Sequence, residues 1–245
     1  MNINNNINAI IPAAGIGHRM QLDYPKQYLT IKGKTIIEHS ISVLLQHPLI
    51  QNIIIVIDCK DSWFKLLPIA SNRRIKTIII ENKSNRANSV MAGLQEQTIN
   101  NKQQNNNDWI LIHDAVRPCL LYDDLEQLLS VRARSPVGAI LVTPVRDTIK
   151  RSYLHKPLIS YTIKRKDLWH ALTPQLFPRR LLYNCMRYTF NKGKIFTDES
   201  SVLEYCGYHP TLVVGHHNNI KITYQEDIKL AEFYILNQQI NEDKK

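Results

Sequence analysis

Short apolar runs recur along the chain and alternate with segments whose apolar residues follow helical spacing. Residues 53–57 are all β-branched, so this run predicts a central strand that is covered on both faces of a sheet. Strands that alternate with helices indicate crossover connections, and therefore an α/β fold with a mostly parallel sheet flanked by helices. Similar runs at residues 9–11, 78–80, 109–112 and 139–142 predict further strands of the same type, with helical patterns at 87–95 and 123–129.

Two predicted helices begin with the capping-box pattern, in which Ser or Thr is followed three residues later by Glu or Gln. One pattern is formed by Thr35 and Glu38, and the other by Thr223 and Glu226 near the end of the chain. The apolar residues expected to face the core are Ile37, Ile41, Leu44 and Leu45 in the first helix, and Ile228, Ala231, Phe233 and Ile235 in the second.

Two stretches interrupt the alternation of strands and helices. Residues 98–108 are rich in Asn and Gln and lack periodicity, which predicts a solvated insertion between a helix and a strand. From Pro144 to about Lys166, charged and β-prone residues are mixed without a long apolar run. This second stretch is typical of an extended arm, and such arms often complete a partner subunit.

Composition narrows the class of protein without deciding the function. The 245 residues are 44% hydrophobic and carry a net charge of +10, which excludes collagen-like and disordered chains and favours anionic partners. No secretory signal pattern opens the chain, and no apolar run approaches the roughly 20 residues of a membrane-spanning helix. We therefore expect a cytoplasmic protein that does not enter a membrane, with Cys59, Cys119, Cys185 and Cys206 reduced.

The segment after the first predicted strand consists of small residues followed by two cations. Pro-Ala-Ala-Gly-Ile-Gly at residues 12–17 allows backbone N–H groups to approach a phosphate chain, with Arg19 and Lys26 supplying positive charge. A dinucleotide fingerprint would require a third glycine where Met20 stands, and a Walker A loop would require Gly-Lys-Ser/Thr. A structural turn with incidental charges is the alternative, but a triphosphate cradle fits best.

A second polar cluster, His-Asp-Ala-Val-Arg-Pro at residues 113–118, directly follows the strand predicted at 109–112. Because ligands of open α/β sheets bind beyond the carboxyl ends of the strands, Asp114 is expected to face the same cleft and could hold Mg²⁺. The alternative is an Asp that caps a helix and pairs with Arg117. His113 is interpreted as a structural neighbour, and no Ser–His or Cys–His pair indicates nucleophilic catalysis.

Seven motifs occur in order along the chain, and together they carry a family resemblance. The sequence resembles the 2-C-methyl-D-erythritol 4-phosphate cytidylyltransferase family, which joins CTP to methylerythritol phosphate in the non-mevalonate isoprenoid pathway. The resemblance extends from about residue 9 to residue 235. The motifs are PAAGIGHRM (12–20), PKQY (25–28), HDAVRP (113–118), PVRDT (144–148), LWHALTPQ (168–175), TDE (197–199) and NIKIT (219–223).

The resemblance implies a fold and an assembly. The fold would be Rossmann-like, with a protruding β-arm at about residues 144–167 inside a single nucleotidyltransferase domain spanning 1–245. The protein would be a homodimer whose arms reach the partner's site. Mg²⁺ would be the cofactor, and CTP and methylerythritol phosphate the substrates.

The resemblance also assigns roles to residues that spacing alone does not unite. Thr148, Arg165, Thr173, Thr197 and Lys221, taken singly, could equally be surface or capping residues. By resemblance, Arg19, Lys26, Arg165 and Lys221 are the catalytic group, and Asp114 sits at the metal site. Thr148 and Arg165 would act across the dimer and, with Lys221, fix the sugar phosphate. The substrate-binding residues would be Pro12, Ala13, Ala14, Gly15, Gly17, Arg86, Ser89, Arg117, Thr148, Thr173 and Thr197.

One segment departs from the family pattern. The family commonly has Gly-Gly-x-x-Arg in the nucleotide-binding segment, whereas this chain has Asn82-Lys83-Ser84-Asn85-Arg86. Two alternative functions stay open at this point. The chain could be a cytidylyltransferase for another polyol phosphate, or a basic nucleic-acid-binding protein, although its basic residues are dispersed and form no recognisable binding signature.

Overall fold

The computed structural model describes residues 7–15, 24–81, 85–100 and 108–242. The strands are β1 (Ile7–Pro12), β2 (Thr30–Ile31), β3 (Lys34–Thr35), β4 (Ile50–Asp58), β5 (Ile75–Ile80), β6 (Trp109–Ile112), β7 (Ala139–Pro144), β8 (Ile149–Ser152), β9 (Ile159–Ile163), β10 (Trp169–Pro178) and β11 (Thr211–Val214). The α-helices are α1 (Ile36–Gln46), α2 (Arg86–Asn100), α3 (Tyr122–Ser130), α4 (Arg179–Asn191), α5 (Glu199–Tyr205) and α6 (Glu226–Glu242).

Seven strands form the central sheet, in the order β11-β7-β10-β6-β1-β4-β5. All neighbouring pairs are parallel except those made by β10, which is antiparallel to both β6 and β7. The prediction of a mostly parallel α/β sheet is therefore confirmed. The carboxyl ends of β1 and β6, which are direct neighbours, lie at the same edge of the sheet.

The continuous apolar run of β4 reflects burial on both faces of the sheet. Ile53 and Ile55 pack into one hydrophobic cluster, whereas Ile54 and Val56 pack into the cluster on the opposite face, and all four are fully buried. Successive side chains of a strand point to opposite faces, so only a sheet covered on both sides requires such a run. The prediction for residues 53–57 is confirmed.

The run at 78–80 forms a strand, as predicted, but not one of the same buried type. It belongs to β5, which lies at the edge of the sheet, and Ile79 is 65% exposed. An edge strand has a neighbour on one side only; Ile75, on the same face of β5, packs into the core at 9% exposure, but Ile79 further along the strand stays exposed. Apolar composition alone does not distinguish such an edge strand from an interior one.

The first capping box is present as predicted. Thr35 Oγ1 accepts a hydrogen bond from the Glu38 backbone N–H at 3.4 Å, and the Glu38 carboxylate accepts one from the Thr35 N–H at 2.8 Å. These two bonds satisfy backbone donors that the start of a helix would otherwise leave without partners. Ile37, Ile41 and Leu44 are fully buried, and Leu45 packs partly buried against the same cluster.

The capping box predicted at Thr223 and Glu226 is wrong. The carboxylate of Asp227 accepts hydrogen bonds from the backbone N–H groups of Thr223 and Tyr224, at 2.7 and 2.8 Å, and α6 begins at Glu226. The inward direction predicted for Phe233 is also wrong, because this side chain is 58% exposed. Each helical residue advances by about 100°, so a helix that buries Ala231 and Ile235 turns position 233 outward.

The arm predicted from Pro144 is an antiparallel hairpin of β8 and β9. Most of its side chains are exposed, which explains why its sequence lacks a long apolar run. The insertion predicted at 98–108 is shorter than expected, since α2 continues to Asn100, and residues 101–107 lie outside the described part of the chain. All four cysteines are free, and within the described residues no helix has the length and apolarity needed to span a bilayer.

Gly138 gives a stability prediction with a matched control. Its φ is +105°, and a Cβ placed there would lie 2.1 Å from the Leu176 carbonyl oxygen. We expect Gly138→Ala to lower the free energy of unfolding by about 3 kcal/mol or more, because backbone strain and overpacking add. Gly207 has φ +84° with no atom within 4 Å of such a Cβ, so Gly207→Ala should cost only about 1 kcal/mol. Urea denaturation measures both, and equal losses would contradict the steric argument.

Candidate functional site

A cavity of about 200 Å³ opens where β1 and β6 end side by side. Residues 12–15 line one wall and residues 114–116 line the facing wall. Lys26, Gln27, Arg86, Ser89 and Lys221 complete the lining from other parts of the chain. The parallel sheet thus brings the two clusters recognised in the sequence into one cleft, as predicted.

The first wall is made of small residues that are held in place from behind. Ala13 donates its backbone N–H to the Val56 carbonyl oxygen at 2.8 Å, and its own carbonyl accepts from the Gln27 side-chain amide at 2.8 Å. Among the described residues, no atom lies within 4 Å of a Cβ added at Gly15, and the backbone there borders the cavity. Gly17 and Arg19 lie outside the described residues.

Lys26 lies at the edge of the cavity but is 8% exposed. It begins a single 3-10 turn directly after Pro25, and its Nζ donates a hydrogen bond to the Ile222 carbonyl oxygen at 2.6 Å. A charge buried at this position is favourable only with partners such as this carbonyl or a bound anion. The bond also ties the loop after β1 to the segment that carries Lys221.

The facing wall contains a buried carboxylate that is shared by three cations. Asp114 accepts from Arg86 Nε at 2.9 Å and from Lys221 Nζ at 2.9 Å, and Arg117 Nε lies 3.5 Å away. The pairing of Asp114 with Arg117, which was the alternative interpretation, is therefore present as one contact of a larger cluster of three cations. Burial alone would raise the pKa of Asp114, but the charges of Arg86, Lys221 and Arg117 outweigh burial and hold this pKa well below its usual range.

A chain of hydrogen bonds fixes the direction of Asp114. Thr173 Oγ1 accepts from the Asp114 backbone N–H at 3.0 Å and lies 3.0 Å from His113 Nδ1. Burial lowers the pKa of His113 to about 4, so the ring is neutral near pH 7. The neutral tautomer with a proton on Nε2 satisfies both hydrogen bonds of the ring: Nε2–H donates to the Arg117 carbonyl oxygen at 3.3 Å, and Nδ1 accepts from the Thr173 hydroxyl. His113 and Thr173 thus support Asp114 from outside the cavity, in agreement with the interpretation of His113 as a structural neighbour.

Asn219, the first residue of the motif at 219–223, helps to fix the segment that carries Lys221. The side-chain amide of Asn219 donates a hydrogen bond to the Thr173 carbonyl oxygen at 2.8 Å, and the backbone carbonyl oxygen of Asn219 accepts one from Arg117 Nη1 at 2.7 Å. Upstream, the buried Asp124 carboxylate accepts from the backbone N–H of His216 at 3.0 Å and contacts its ring at 2.7 Å. The motifs contain Asn219, Arg117 and Thr173, but because these partners lie far apart in sequence, no local pattern indicates their contacts or the contact of Asp124 with His216.

Glu199 is a second functional candidate that sequence reasoning missed. Its carboxylate is 2% exposed and accepts from Arg86 Nη1 at 2.6 Å. Burial raises the pKa of Glu199 despite the opposing charge of Arg86. The motif at 197–199 was recognised, but it directed attention to Thr197, whereas the side chain that reaches the cluster is the third of the motif.

Several predicted site residues lie elsewhere in this chain. Thr148 and Arg165 are exposed on the arm, and Arg165 donates to the Arg146 carbonyl oxygen. Thr197 is exposed at the start of α5. The structure therefore brings together Lys26, Lys221, Asp114 and, of the substrate-binding candidates, Pro12, Ala13, Ala14, Gly15, Arg86, Ser89, Arg117 and Thr173, but not Thr148, Arg165 or Thr197.

The donors present fit one kind of metal site. Within residues 7–15, 24–81, 85–100 and 108–242, no group of three or more His, Cys, Asp and Glu side chains could hold a metal ion. Asp114 nevertheless places one carboxylate in the cavity wall. Mg²⁺ is commonly held by one or two carboxylates together with substrate phosphates, so the site suits a cation that arrives with a polyphosphate.

A mostly parallel sheet with a loop of small residues and a cluster of cations at its carboxyl edge defines the class of Rossmann-like, nucleotide-binding α/β proteins. Residues 7–237 match the family model described as 2-C-methyl-D-erythritol 4-phosphate cytidylyltransferase (IspD). The chain belongs to this family, and the resemblance read from its motifs is confirmed.

Named relatives and solved structures are similar over nearly the whole chain. The 2-C-methyl-D-erythritol 4-phosphate cytidylyltransferase of Yersinia pseudotuberculosis is 53% identical over 236 residues, which cover 96% of this chain and 94% of the relative. That of Salmonella typhimurium strain LT2 is 51% identical, over 93% and 92% of the two chains. The crystal structure of the Francisella tularensis enzyme matches with a TM-score of 0.79 at 31% identity, covering 94% of this chain and 100% of that chain.

The ion pairs of Asp114 with Arg86, Lys221 and Arg117 predict that the stability difference between the wild type and Asp114→Asn depends on pH. Asp114→Asn removes the charge shared by three cations, so we expect the free energy of unfolding at pH 7 to fall by about 3 kcal/mol. Since the pKa of Asp114 lies below its unfolded value, this stabilisation is present above about pH 4 and is lost as the pH falls further. Asp123→Asn, on the exposed start of α3, should change little. Urea denaturation at several pH values measures the difference, and a difference that stays constant below pH 4 would contradict the assignment.

Proposed function

We propose that this protein transfers the CMP moiety of CTP to 2-C-methyl-D-erythritol 4-phosphate, giving 4-diphosphocytidyl-2-C-methyl-D-erythritol and pyrophosphate, in isoprenoid precursor biosynthesis. The supporting observation is the cavity itself, in which the small-residue loop at 12–15 faces the cluster of Asp114, Arg86 and Lys221. Membership of the cytidylyltransferase family over residues 7–237 supports the same substrates. We propose further that residues 1–245 act as a single nucleotidyltransferase domain.

The reaction needs little proton transfer by the protein. A phosphate oxygen of the sugar phosphate attacks the α-phosphorus of CTP in line, the bond from that phosphorus to the bridging oxygen breaks, and pyrophosphate leaves. A phosphate monoester is largely doubly ionised near pH 7, because its second pKa is about 6, so no general base is required. The main barrier is the approach of one anion to another, which fixed cations lower.

The cavity residues divide this work by position. Backbone N–H groups of Ala14 and Gly15 and the Lys26 ammonium would bind the triphosphate, and Arg19 would add a further cation. Ser89, which is 2% exposed in the cavity wall, would contact the nucleoside. Lys221 would bind the sugar phosphate and align it with the α-phosphorus, a contribution that acts through orientation as well as charge.

Mg²⁺ is the proposed cofactor, held by Asp114 together with the CTP phosphates. When bound, it would neutralise negative charge on the transferring phosphoryl group. Asp114 is paired with cations in this structure, and the same cations can turn to phosphate oxygens when the nucleotide enters. Arg117 and Thr173 would keep the carboxylate in place through their contacts to its oxygen and backbone.

The arm supports a proposal about assembly. Thr148 and Arg165 lie on an exposed hairpin outside the cavity wall, so they would reach a substrate only in another subunit. The hairpin also exposes large apolar side chains, including Tyr153 and Leu158, at 54% and 60%. We propose a homodimer in which each arm contributes Thr148 and Arg165 to the sugar-phosphate end of the partner's site.

The test of the proposed function is pyrophosphate release with CTP and a panel of polyol phosphates, with and without Mg²⁺. We expect release that requires the divalent cation and is fastest with 2-C-methyl-D-erythritol 4-phosphate. Fastest release with another polyol phosphate would favour the second cytidylyltransferase hypothesis. Absence of release, combined with salt-sensitive binding of nucleic acid, would contradict the enzyme assignment and favour the nucleic-acid-binding alternative.

Lys26→Ala tests the contribution of the buried cation. We expect kcat to fall at least about a hundredfold, the range found when one preorganised charge-stabilising donor is removed. The Ile222 carbonyl loses its donor, which should destabilise the fold by only about 1–3 kcal/mol. Lys65→Ala, at an exposed position, is the control and should keep wild-type turnover. Near-normal kcat in folded Lys26→Ala protein would refute the role.

A further inference from the structure

Glu199 carries a buried charge that the proposed reaction has not used. It is 2% exposed, and its Oε1 accepts a hydrogen bond from the guanidinium of Arg86 at 2.6 Å, while its Oε2 is buried without a hydrogen-bond partner among the described residues. A buried carboxylate with a single partner is costly, so its position calls for a role beyond packing.

Capping of α5 does not account for Glu199. The helix begins with Asp198 as its N-cap, whose Oδ1 accepts from the Ser201 backbone N–H at 3.1 Å and whose Oδ2 accepts from the Ser200 hydroxyl at 3.0 Å. The side chain of Glu199 instead extends away from its own helix, toward the first residue of α2. Its contact is therefore directed at Arg86.

Arg86 bridges two buried carboxylates that belong to different elements. Nε donates to Asp114 Oδ1 at 2.9 Å, and Nη1 donates to Glu199 Oε1 at 2.6 Å. Asp114 comes at the end of β6 and is the candidate metal ligand, whereas Glu199 belongs to α5 outside the cavity wall. The guanidinium of Arg86 thus has one acceptor, Asp114, in the cavity wall and a second acceptor, Glu199, outside the wall.

The second acceptor of Arg86 matters because several cations compete for the Asp114 carboxylate. Its carboxylate is already occupied by Arg86, Lys221 and Arg117, and a divalent cation that binds there must displace at least part of this pairing. Lys221 can follow a substrate phosphate, since its side chain is 38% exposed. Arg86, whose side chain is 26% exposed, is held from behind by Glu199, so it can release Asp114 and still keep a carboxylate partner.

We propose that Glu199 is a positioning residue. Its carboxylate on α5 holds the guanidinium of Arg86, the first residue of α2, and thereby frees the Asp114 carboxylate for a divalent cation that accompanies CTP. The inference rests on the proposed function only in taking CTP and a divalent cation as the ligands. Without the charge of Glu199, Asp114 is the one carboxylate partner left to Arg86 among the described residues, and the guanidinium competes more strongly with the cation.

The test measures Mn²⁺ binding to the full chain in the presence of saturating CTP, by electron paramagnetic resonance of free Mn²⁺. Glu199→Gln keeps the shape of the side chain and removes its charge. We expect Mn²⁺ affinity to fall by roughly 10- to 100-fold, the range typical for loss of a group that orients a metal ligand. Glu204→Gln, at an exposed position on the same helix, should leave the affinity unchanged.

A second set of variants separates this role from simple support of the fold. In an Arg86→Gln background, Glu199→Gln should cause no further loss of Mn²⁺ affinity, because the two residues act through one contact. Glu199→Asp keeps the charge at shorter reach and should lose less affinity than Glu199→Gln. Thermal melting confirms that each variant is folded.

Wild-type Mn²⁺ affinity in folded Glu199→Gln protein overturns the proposal. So does an equal loss when Arg86 is already absent. If Glu199→Gln does not fold, unchanged affinity in Glu199→Asp overturns it instead. Because this readout needs no sugar phosphate and no turnover, failure of the proposed function appears separately, as missing pyrophosphate release by a wild-type chain that binds Mn²⁺ and CTP.

Discussion

The carboxylate of Asp114 lies in the protein interior and is neutralised by Arg117, three residues further along, and by Arg86 and Lys221, which are distant in the sequence. An unpaired charge at this depth would be strongly destabilising, so the end of β6, the start of α2 and the segment before α6 must meet at one point. Lys26 lines the same cavity and Glu199 pairs with Arg86, so four cations and two carboxylates of the described residues lie in or beside this site. The excess positive charge suits a polyphosphate and provides a reason why this edge of the sheet is the site.

Local sequence patterns were sufficient for much of this arrangement. The all-β-branched run at 53–57 requires a sheet covered on both faces, and the parallel topology then brings the ends of β1 and β6 together. The small residues at 12–15 and Asp114 each follow one of these strands directly. Their common location therefore follows from chain geometry, and both were predicted to line one cleft.

Other features depend on contacts between distant residues or on a choice between neighbouring side chains. Nothing near Glu199 in the sequence indicates that it meets Arg86, which lies 113 residues away. At the start of α6, Glu226 and Asp227 are both acidic, and only the backbone geometry decides that Asp227 accepts the N–H groups of Thr223. The roles of Thr148, Arg165 and Thr197 came from family motifs, and this chain does not bring them into its own cavity.

The most direct test of the central claim is a crystal structure of the chain with CTP and Mg²⁺. The account predicts that the triphosphate lies within hydrogen-bond distance of the backbone N–H groups of Ala14 and Gly15 and of Lys26 Nζ. It also predicts that the ion pairs of Asp114 with Arg86 and Lys221 are rearranged. A nucleotide bound outside this cavity, or a triphosphate out of reach of Lys26 with the Asp114 cluster unchanged, would contradict it.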